Sequence, residues 1–168
     1  MFCQICIIVR IKELEKSLKL QCKFANMQSY RDVVVRISPN IFIKAATPDE
    51  ILADKIVAIS LRKNLQGRDM WDIYYLLDQL SNKHNVHTDY ELIMKKFLDY
   101  NCQPSTITEK ITLAIDKIEK RGLSVLRQKM LKVLPCPVYN LFESKFPTVV
   151  EIVRKVLTDA LCKFSEGR

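Results

Sequence analysis

Residues 47–80 have the sequence TPDEILADKIVAISLRKNLQGRDMWDIYYLLDQL, which carries two helical patterns separated by a short polar loop. The first pattern opens with Thr47-Pro-Asp-Glu50, a capping-box signature with proline at the first helical position. Apolar residues then recur at helical spacing to about residue 63. A second such pattern runs from about residue 68 to Leu80. The stretch predicts two amphipathic helices joined by a loop.

Charged side chains stand beside the apolar stripes of both predicted helices. Lys55 and Arg62 share one stripe of the first helix, because seven residues make about two helical turns. Asp69 and Asp72 each precede an apolar position of the second helix by one turn. Charge held against a core is unfavourable unless it is paired. Spacing leaves two interpretations open, a structural ion pair between the helices or a functional site.

Each of these residues has an ordinary and a functional interpretation. Lys55 can project its ammonium toward a cleft and hold a phosphate, or it can pair with a local acid. Asp69 can simply cap its helix, since aspartate is common at helix starts. Trp71, Tyr74 and Tyr75 can stack on nucleobases or belong to the core.

The region before residue 47 has the pattern of β-strands. We predict strands over Gln4–Ile11, Ser17–Phe24, Val33–Ile37 and Ile41–Lys44, from β-branched runs and from apolar residues at alternate positions. The predicted fold class is therefore α+β, a small N-terminal and mostly antiparallel sheet followed by a C-terminal helical bundle. The predicted domains are 1–80, which holds the strands and the two helices, and 81–168, a helical region packed on it.

Further helices are predicted downstream. Capping boxes at Thr88–Glu91 and Thr106–Glu109 open two of them, and Gly122 is expected to end the second in a left-handed cap. A fifth helix is predicted over Leu123–Leu134, and a last one from Pro147.

Composition narrows the class of protein. The chain has 168 residues and a net charge of +8. Positive charge is concentrated in residues 1–47 and 121–168, which suits attraction of a polyanion as well as ordinary solvated helix faces. The six cysteines show no disulfide or zinc pattern, so we predict a reducing, cytoplasmic location. No apolar run is long enough to predict a membrane span.

One family matches the two-helix pattern. Glu50-Ile-Leu-Ala-Asp-Lys55-Ile-Val-Ala58, followed by Gly67-Arg-Asp-x-x-Asp72-Ile-Tyr-Tyr-Leu-Leu77, resembles the nucleotidyltransferase family of AbiEii/AbiGii toxins. The resemblance is carried by two signatures in the right order and covers about residues 18–80.

The resemblance implies a nucleotidyltransferase-like core and a set of site residues. By position, Asp69 and Asp72 are the implied catalytic acids, and the implied nucleotide- and phosphate-binding residues are Lys55, Arg62 and Arg68. The implied cofactor is Mg²⁺, and the implied partners are a nucleoside triphosphate, RNA as an acceptor and a cognate antitoxin. A sheet with open edges also predicts a homo-oligomer or a partner chain.

The chain departs from the family pattern at the first motif. That motif is a Gly-Gly or Gly-Ser turn followed by Asp-x-Asp, and neither occurs in this sequence. The expectation is a chain that corresponds to the C-terminal part of a family member, with no metal ligand assigned. Two functions stay open at this point, nucleotidyl transfer and a non-catalytic module that binds nucleotide, RNA or a partner. A purely structural remnant of the enzyme is the third possibility.

Overall fold

The structure is a computed structural model that describes residues 32–38, 41–80 and 86–166. A β-hairpin consists of β1 (Asp32–Ser38) and β2 (Ile41–Ala46). The described helices are α1 (Pro48–Leu61), α2 (Gly67–Tyr74), α3 (Tyr90–Asp99), α4 (Pro104–Val133), α5 (Cys136–Phe142) and α6 (Phe146–Glu166). A π-helical turn, Tyr75–Leu80, extends α2, and a 3₁₀ turn, Glu143–Lys145, precedes α6.

The predicted α+β class is wrong, because the described part of the chain is mostly helical. Its strands make one antiparallel two-stranded hairpin, with Asp32 opposite Ala46 and an irregular register between Arg36 and Ser38. Two strands do not form an independently stable layer. The described core is built from helices and the segments that connect them. The strands predicted over 4–11 and 17–24 lie outside the described residues.

The buried core runs through the whole helical array. Helix α1 packs against α2, α3 and α4, while α4 and α6 lie along each other. Fully buried side chains come from every long helix, among them Ile56, Met70, Phe97, Ile111 and Leu157. The described core therefore draws on residues from both sides of position 80. The predicted division at that position stays a prediction.

Side-chain caps open two of the described helices, α1 and α3. The Thr47 hydroxyl accepts a hydrogen bond from the Glu50 amide at 3.2 Å, as the capping box predicts. Helix α3 begins after Asp89 rather than Thr88, since the Asp89 carboxylate accepts from the Leu92 amide at 2.9 Å. Asp89, one residue after Thr88, is therefore the N-cap of this helix, a position at which aspartate is as favourable as threonine or more so.

Gly122 does not end a helix, and the prediction of a separate helix over 123–134 is wrong. Helix α4 runs without interruption from Pro104 to Val133. A Cβ at Gly122 would lie 3.2 Å from the terminal methyl of Met70 and 3.4 Å from a methyl of Val150. The glycine serves close packing of α4 against α2 and α6, which a single sequence does not distinguish from a cap.

Gly67, the first residue of α2, is expected to tolerate substitution less well than Gly122. A Cβ at Gly67 would lie 3.2 Å from the carbonyl oxygen of Val125 and 3.1 Å from Cβ of Lys129. Relieving this contact would require the backbone of α4 to shift, which costs more free energy than a side-chain rotation. Overpacking predicts that Gly67→Ala lowers the free energy of unfolding by about 1–3 kcal/mol. Gly122→Ala meets the flexible end of Met70 and branch methyls of Ile118 and Val150 rather than backbone. It also gains about 1 kcal/mol of helix propensity, so it should cost less than Gly67→Ala. Urea denaturation measures both, and the reverse order would contradict this packing.

Candidate functional site

The charged residues singled out in the sequence meet between α1 and α2. The Lys55 ammonium lies 3.0 Å from Oδ1 of Asp69 and 2.6 Å from Oδ2 of Asp72. The guanidinium of Arg62 pairs with Oδ2 of Asp69. We call these four residues the α1–α2 cluster. Two predicted helices therefore place the four residues within direct ion-pair distance.

Burial differs sharply across the α1–α2 cluster. The Asp69 side chain is only 1% exposed and has a cation on each carboxylate oxygen. Lys55 and Asp72 are 17% and 18% exposed, and Arg62 is 44% exposed. The cluster thus has a closed end at Asp69 and an open end at Arg62. A solute that carries negative charge can approach the cations from the open end.

Arg62 is fixed at its backbone as well as at its side chain. It follows the last residue of α1, and its amide donates to the Ala58 carbonyl at 3.0 Å. Its own carbonyl accepts a hydrogen bond from the Lys117 ammonium of α4 at 3.1 Å. Lys117 was not identified from the sequence, because nothing in the spacing of α4 indicates that it reaches the end of α1.

Arg68 does not join the α1–α2 cluster. Its side chain is exposed, and among the described residues no ion pair of Arg68 is found. The reason is geometric, since successive helical residues point about 100° apart. Asp69 faces α1, so its neighbour Arg68 faces solvent.

A second ionic cluster, which the sequence analysis missed, lies between α1 and α3. Lys96 is 2% exposed and pairs with Glu50, which is fully buried, and with Oδ1 of Asp54 at 2.7 Å. We call these three residues the α1–α3 cluster. Glu50 and Asp54 are one turn apart on α1, so the sequence does place two acids on the same face of this helix. Their partner is distant in the sequence, and the pattern around Glu50 indicates only a capping box and the start of the family signature.

Protonation of Lys96 is maintained by its two acids. Burial lowers the pKa of Lys96, but hydrogen bonds and charge interactions with Asp54 and Glu50 outweigh it, so the pKa lies above the ordinary 10.5. Lys96 is therefore held as a cation throughout the neutral range.

Stability should consequently fall in alkali. A lysine whose pKa is raised by folding stabilises fully below its unfolded value of 10.5, and this contribution is lost as the pH rises through the folded pKa. Burial also raises the pKa values of Tyr90 and Tyr100 above 10.0, which acts in the same direction. The free energy of unfolding, measured by urea denaturation from about pH 9 to about pH 12, is expected to decline above about pH 10. A flat profile would contradict the ionic assignment of the α1–α3 cluster.

The aromatic residues of α2 belong to the core. Trp71 is 9% exposed and its ring packs against the rings of Tyr74, Phe142 and Phe146 at centroid distances of 5.3, 5.3 and 6.1 Å. Tyr74 is 2% exposed. Neither ring is open to a nucleobase, so the core interpretation of these two residues is the one supported by the structure.

The described residues offer little else that could hold a ligand. No group of three or more His, Cys, Asp or Glu within 32–38, 41–80 and 86–166 could hold a metal ion. Within the same ranges, no helix is both long and apolar enough to cross a membrane. The α1–α2 cluster is therefore the strongest candidate for a functional site in the described part of the chain.

Comparison with known proteins identifies one family. A family model described as "Nucleotidyl transferase AbiEii toxin, Type IV TA system" matches residues 17–151. That span is well over half of the chain and includes all members of both ionic clusters. No curated protein and no solved structure matches the chain.

Proposed function

Because this chain belongs to the family of AbiEii nucleotidyl transferase toxins of type IV toxin–antitoxin systems, we propose that its α1–α2 cluster binds a nucleoside triphosphate. The proposed reaction transfers a nucleoside monophosphate from that triphosphate to an acceptor such as RNA. A cognate antitoxin is the partner that this family implies. The cytoplasm, predicted from the cysteine pattern, is the compartment that supplies both substrates.

One observation carries this proposal, the convergence of two cations on a single buried carboxylate. Asp69 offers one oxygen to Lys55 and the other to Arg62. A carboxylate engaged on both oxygens positions its cations and holds them close together. Lysine binds phosphate as a compact charge, and arginine binds it through its planar fork. In the proposed complex, Lys55 and Arg62 contact the triphosphate and Asp69 is a positioning residue.

Asp72 has a different place in the proposal. It pairs only with Lys55 in the cluster and is partly exposed, so it borders the space from which a substrate would enter. Asp72 is the better candidate for the catalytic carboxylate of this pair, because an acid must reach the reacting groups to act on them. Arg68 lies outside the cluster and has no proposed role.

Magnesium, which the family resemblance implies, does not fit the described residues. Hard divalent cations need several oxygen ligands, and Asp69 already gives both of its oxygens to cations. Asp72 is the one other acid of the α1–α2 cluster, and the sequence contains no Asp-x-Asp motif. No group of three or more potential metal ligands is found among the described residues. We therefore assign no step of the reaction to a metal held by these residues.

The same donor set favours a second function. A module that binds a nucleotide or RNA without transferring a nucleotidyl group needs Lys55 and Arg62 but no metal-binding carboxylates. In this alternative Asp69 keeps its positioning role and Asp72 only balances charge. A homo-oligomer, predicted from the strand region, is compatible with either function and stays a prediction.

Labelled-nucleotide incorporation separates the two functions. Purified protein is incubated with total RNA, magnesium and each of the four labelled nucleoside triphosphates in turn. Transfer predicts label in RNA with at least one triphosphate and its loss in Asp72→Asn. Binding without transfer predicts no label, yet measurable affinity for the triphosphate or for RNA. Absence of label, of triphosphate affinity and of RNA affinity would overturn both versions.

A further inference from the structure

The C-terminal ends of α1 and α3 lie at the same end of the helix pair. The His87 amide, just before α3, donates to Asp49 at the start of α1 at 2.9 Å. Further along both helices, Lys96 lies 2.7 Å from Asp54. The two contacts advance together along the chain, so α1 and α3 run in parallel. Arg62 at the end of α1 and Tyr100 at the end of α3 therefore emerge on the same side.

The end of α3 is held in a defined geometry. Asn101 has a φ of 58°, the left-handed conformation that asparagine adopts more readily than most residues. The Cys102 amide donates to the Phe97 carbonyl at 2.9 Å and the Asn101 amide to the Leu98 carbonyl at 2.8 Å. This pair of hydrogen bonds is a Schellman motif. It fixes the backbone of Tyr100, and with it the direction in which the ring leaves the helix.

The Tyr100 ring is available to a ligand. Tyr100 is 46% exposed, and among the described residues its ring stacks on no other aromatic ring. It follows Lys96 by one turn and so lies on the side of α3 that faces α1. Burial and the charge of Asp54 raise the pKa of Tyr100 while Lys96 and Arg62 lower it, which is consistent with a hydroxyl near the ends of both ionic clusters.

A third element contributes a cation at the same end. Lys117 of α4 donates to the carbonyl of Arg62, so its ammonium lies beside the exposed arginine. Arg62 acts electrostatically on the Tyr100 hydroxyl, and Lys117 adds a second positive charge beside Arg62. Nucleotides combine a polyanion with a flat base, and bases stack on aromatic side chains.

We propose that Tyr100 is the surface on which the base of the bound nucleoside triphosphate stacks, while Arg62 and Lys117 face its phosphates. This inference rests on the proposed nucleotide-binding function and adds the base-binding half of the site. Stacking is tolerant of base identity, because every base presents a flat face. The four triphosphates are therefore expected to bind with similar affinity.

The test compares ATP with inorganic tripolyphosphate, which has the charge but lacks the base. Calorimetric titration of the full chain gives the Kd of each ligand. Tyr100→Leu is expected to weaken ATP binding about tenfold or more, the range found when base–aromatic stacking is removed, and to leave tripolyphosphate binding unchanged. Lys117→Met should weaken both ligands. Tyr100→Phe, which keeps the ring, should bind ATP like the wild type.

Two controls make the outcomes distinct. Leu98→Ala removes a side chain of similar exposure, 47%, from the same helix, and Lys120→Met removes an exposed lysine from α4. Neither should change the affinity for ATP. Equal loss of ATP and tripolyphosphate affinity in Tyr100→Leu, or no loss of either, would overturn the inference while leaving the proposed function intact. If the wild type binds neither ligand, the proposed nucleotide-binding function is itself contradicted, and the inference with it.

Discussion

Replacing Lys96 by alanine is expected to lower the free energy of unfolding by about 3–5 kcal/mol, the loss typical of a buried ion pair that is deprived of one partner. Lys96 is 2% exposed and Glu50 is fully buried, so the variant leaves the Glu50 carboxylate without its buried cation. Asp54 is 30% exposed and can turn to water, which leaves Glu50 as the main source of the loss. Chemical denaturation of the folded chain measures the effect.

The neighbouring lysine supplies a matched control. Lys95 is exposed on the same helix, and Lys95→Ala should change stability by no more than about 0.5 kcal/mol. Removal of both charges by Lys96→Met with Glu50→Leu should recover much of the loss, because apolar replacement of a whole buried pair is often close to neutral. A loss below about 1 kcal/mol in Lys96→Ala, similar to that of a surface pair, would show that the α1–α3 cluster is not a buried ion pair.

Replacing Lys55 by methionine is expected to weaken triphosphate binding about 10- to 100-fold, the effect of removing one charge-assisted hydrogen bond. Methionine keeps the apolar stem that lies against α1 and α2, so packing is preserved while the charge is removed. The variant also leaves Asp69 with Arg62 as its one cation in the cluster, which should lower the free energy of unfolding by about 1–3 kcal/mol. Lys63→Met, an exposed lysine in the loop after α1, is the matched control and should change neither quantity.

The candidate site was largely predictable because it is local in sequence. Lys55, Asp69 and Asp72 lie within the two helices and Arg62 directly follows the first, and helical periodicity alone placed them beside the buried stripes. The pairing of Lys55 with both acids follows from two short helices that fold back on each other. Arg68 was the exception, since its side chain is exposed outside the cluster, and the phosphate-binding role that the family pattern implied for it stays a prediction.

The rest of the site depends on contacts that local patterns do not encode. Lys96 meets Asp54 across 42 positions of sequence, and Lys117 meets Arg62 across 55, as set by packing of α3 and α4 on α1. Tyr100 was not identified either, because an exposed tyrosine after a helix carries no signal of what lies next to it in space.

The error in fold class has a related physical cause. Runs of β-branched residues favour strands, but they do not determine whether those strands make a layer of the core or a hairpin. In the described residues, most of the buried surface is supplied by the long helices α1, α2, α3, α4 and α6. Gly122 gave a similar error, because the same residue type serves helix caps and close helix packing.

Calorimetric titration of ATP into the wild type and Lys55→Met, side by side, tests most directly whether the α1–α2 cluster binds a nucleoside triphosphate. Circular dichroism first confirms that both proteins are folded at the temperature used. We expect one site in the wild type, and a Kd about 10- to 100-fold higher in the variant. Absence of ATP binding by the wild type, or equal affinity of the two proteins, would contradict the central claim and leave the cluster as a structural ion pair between two helices.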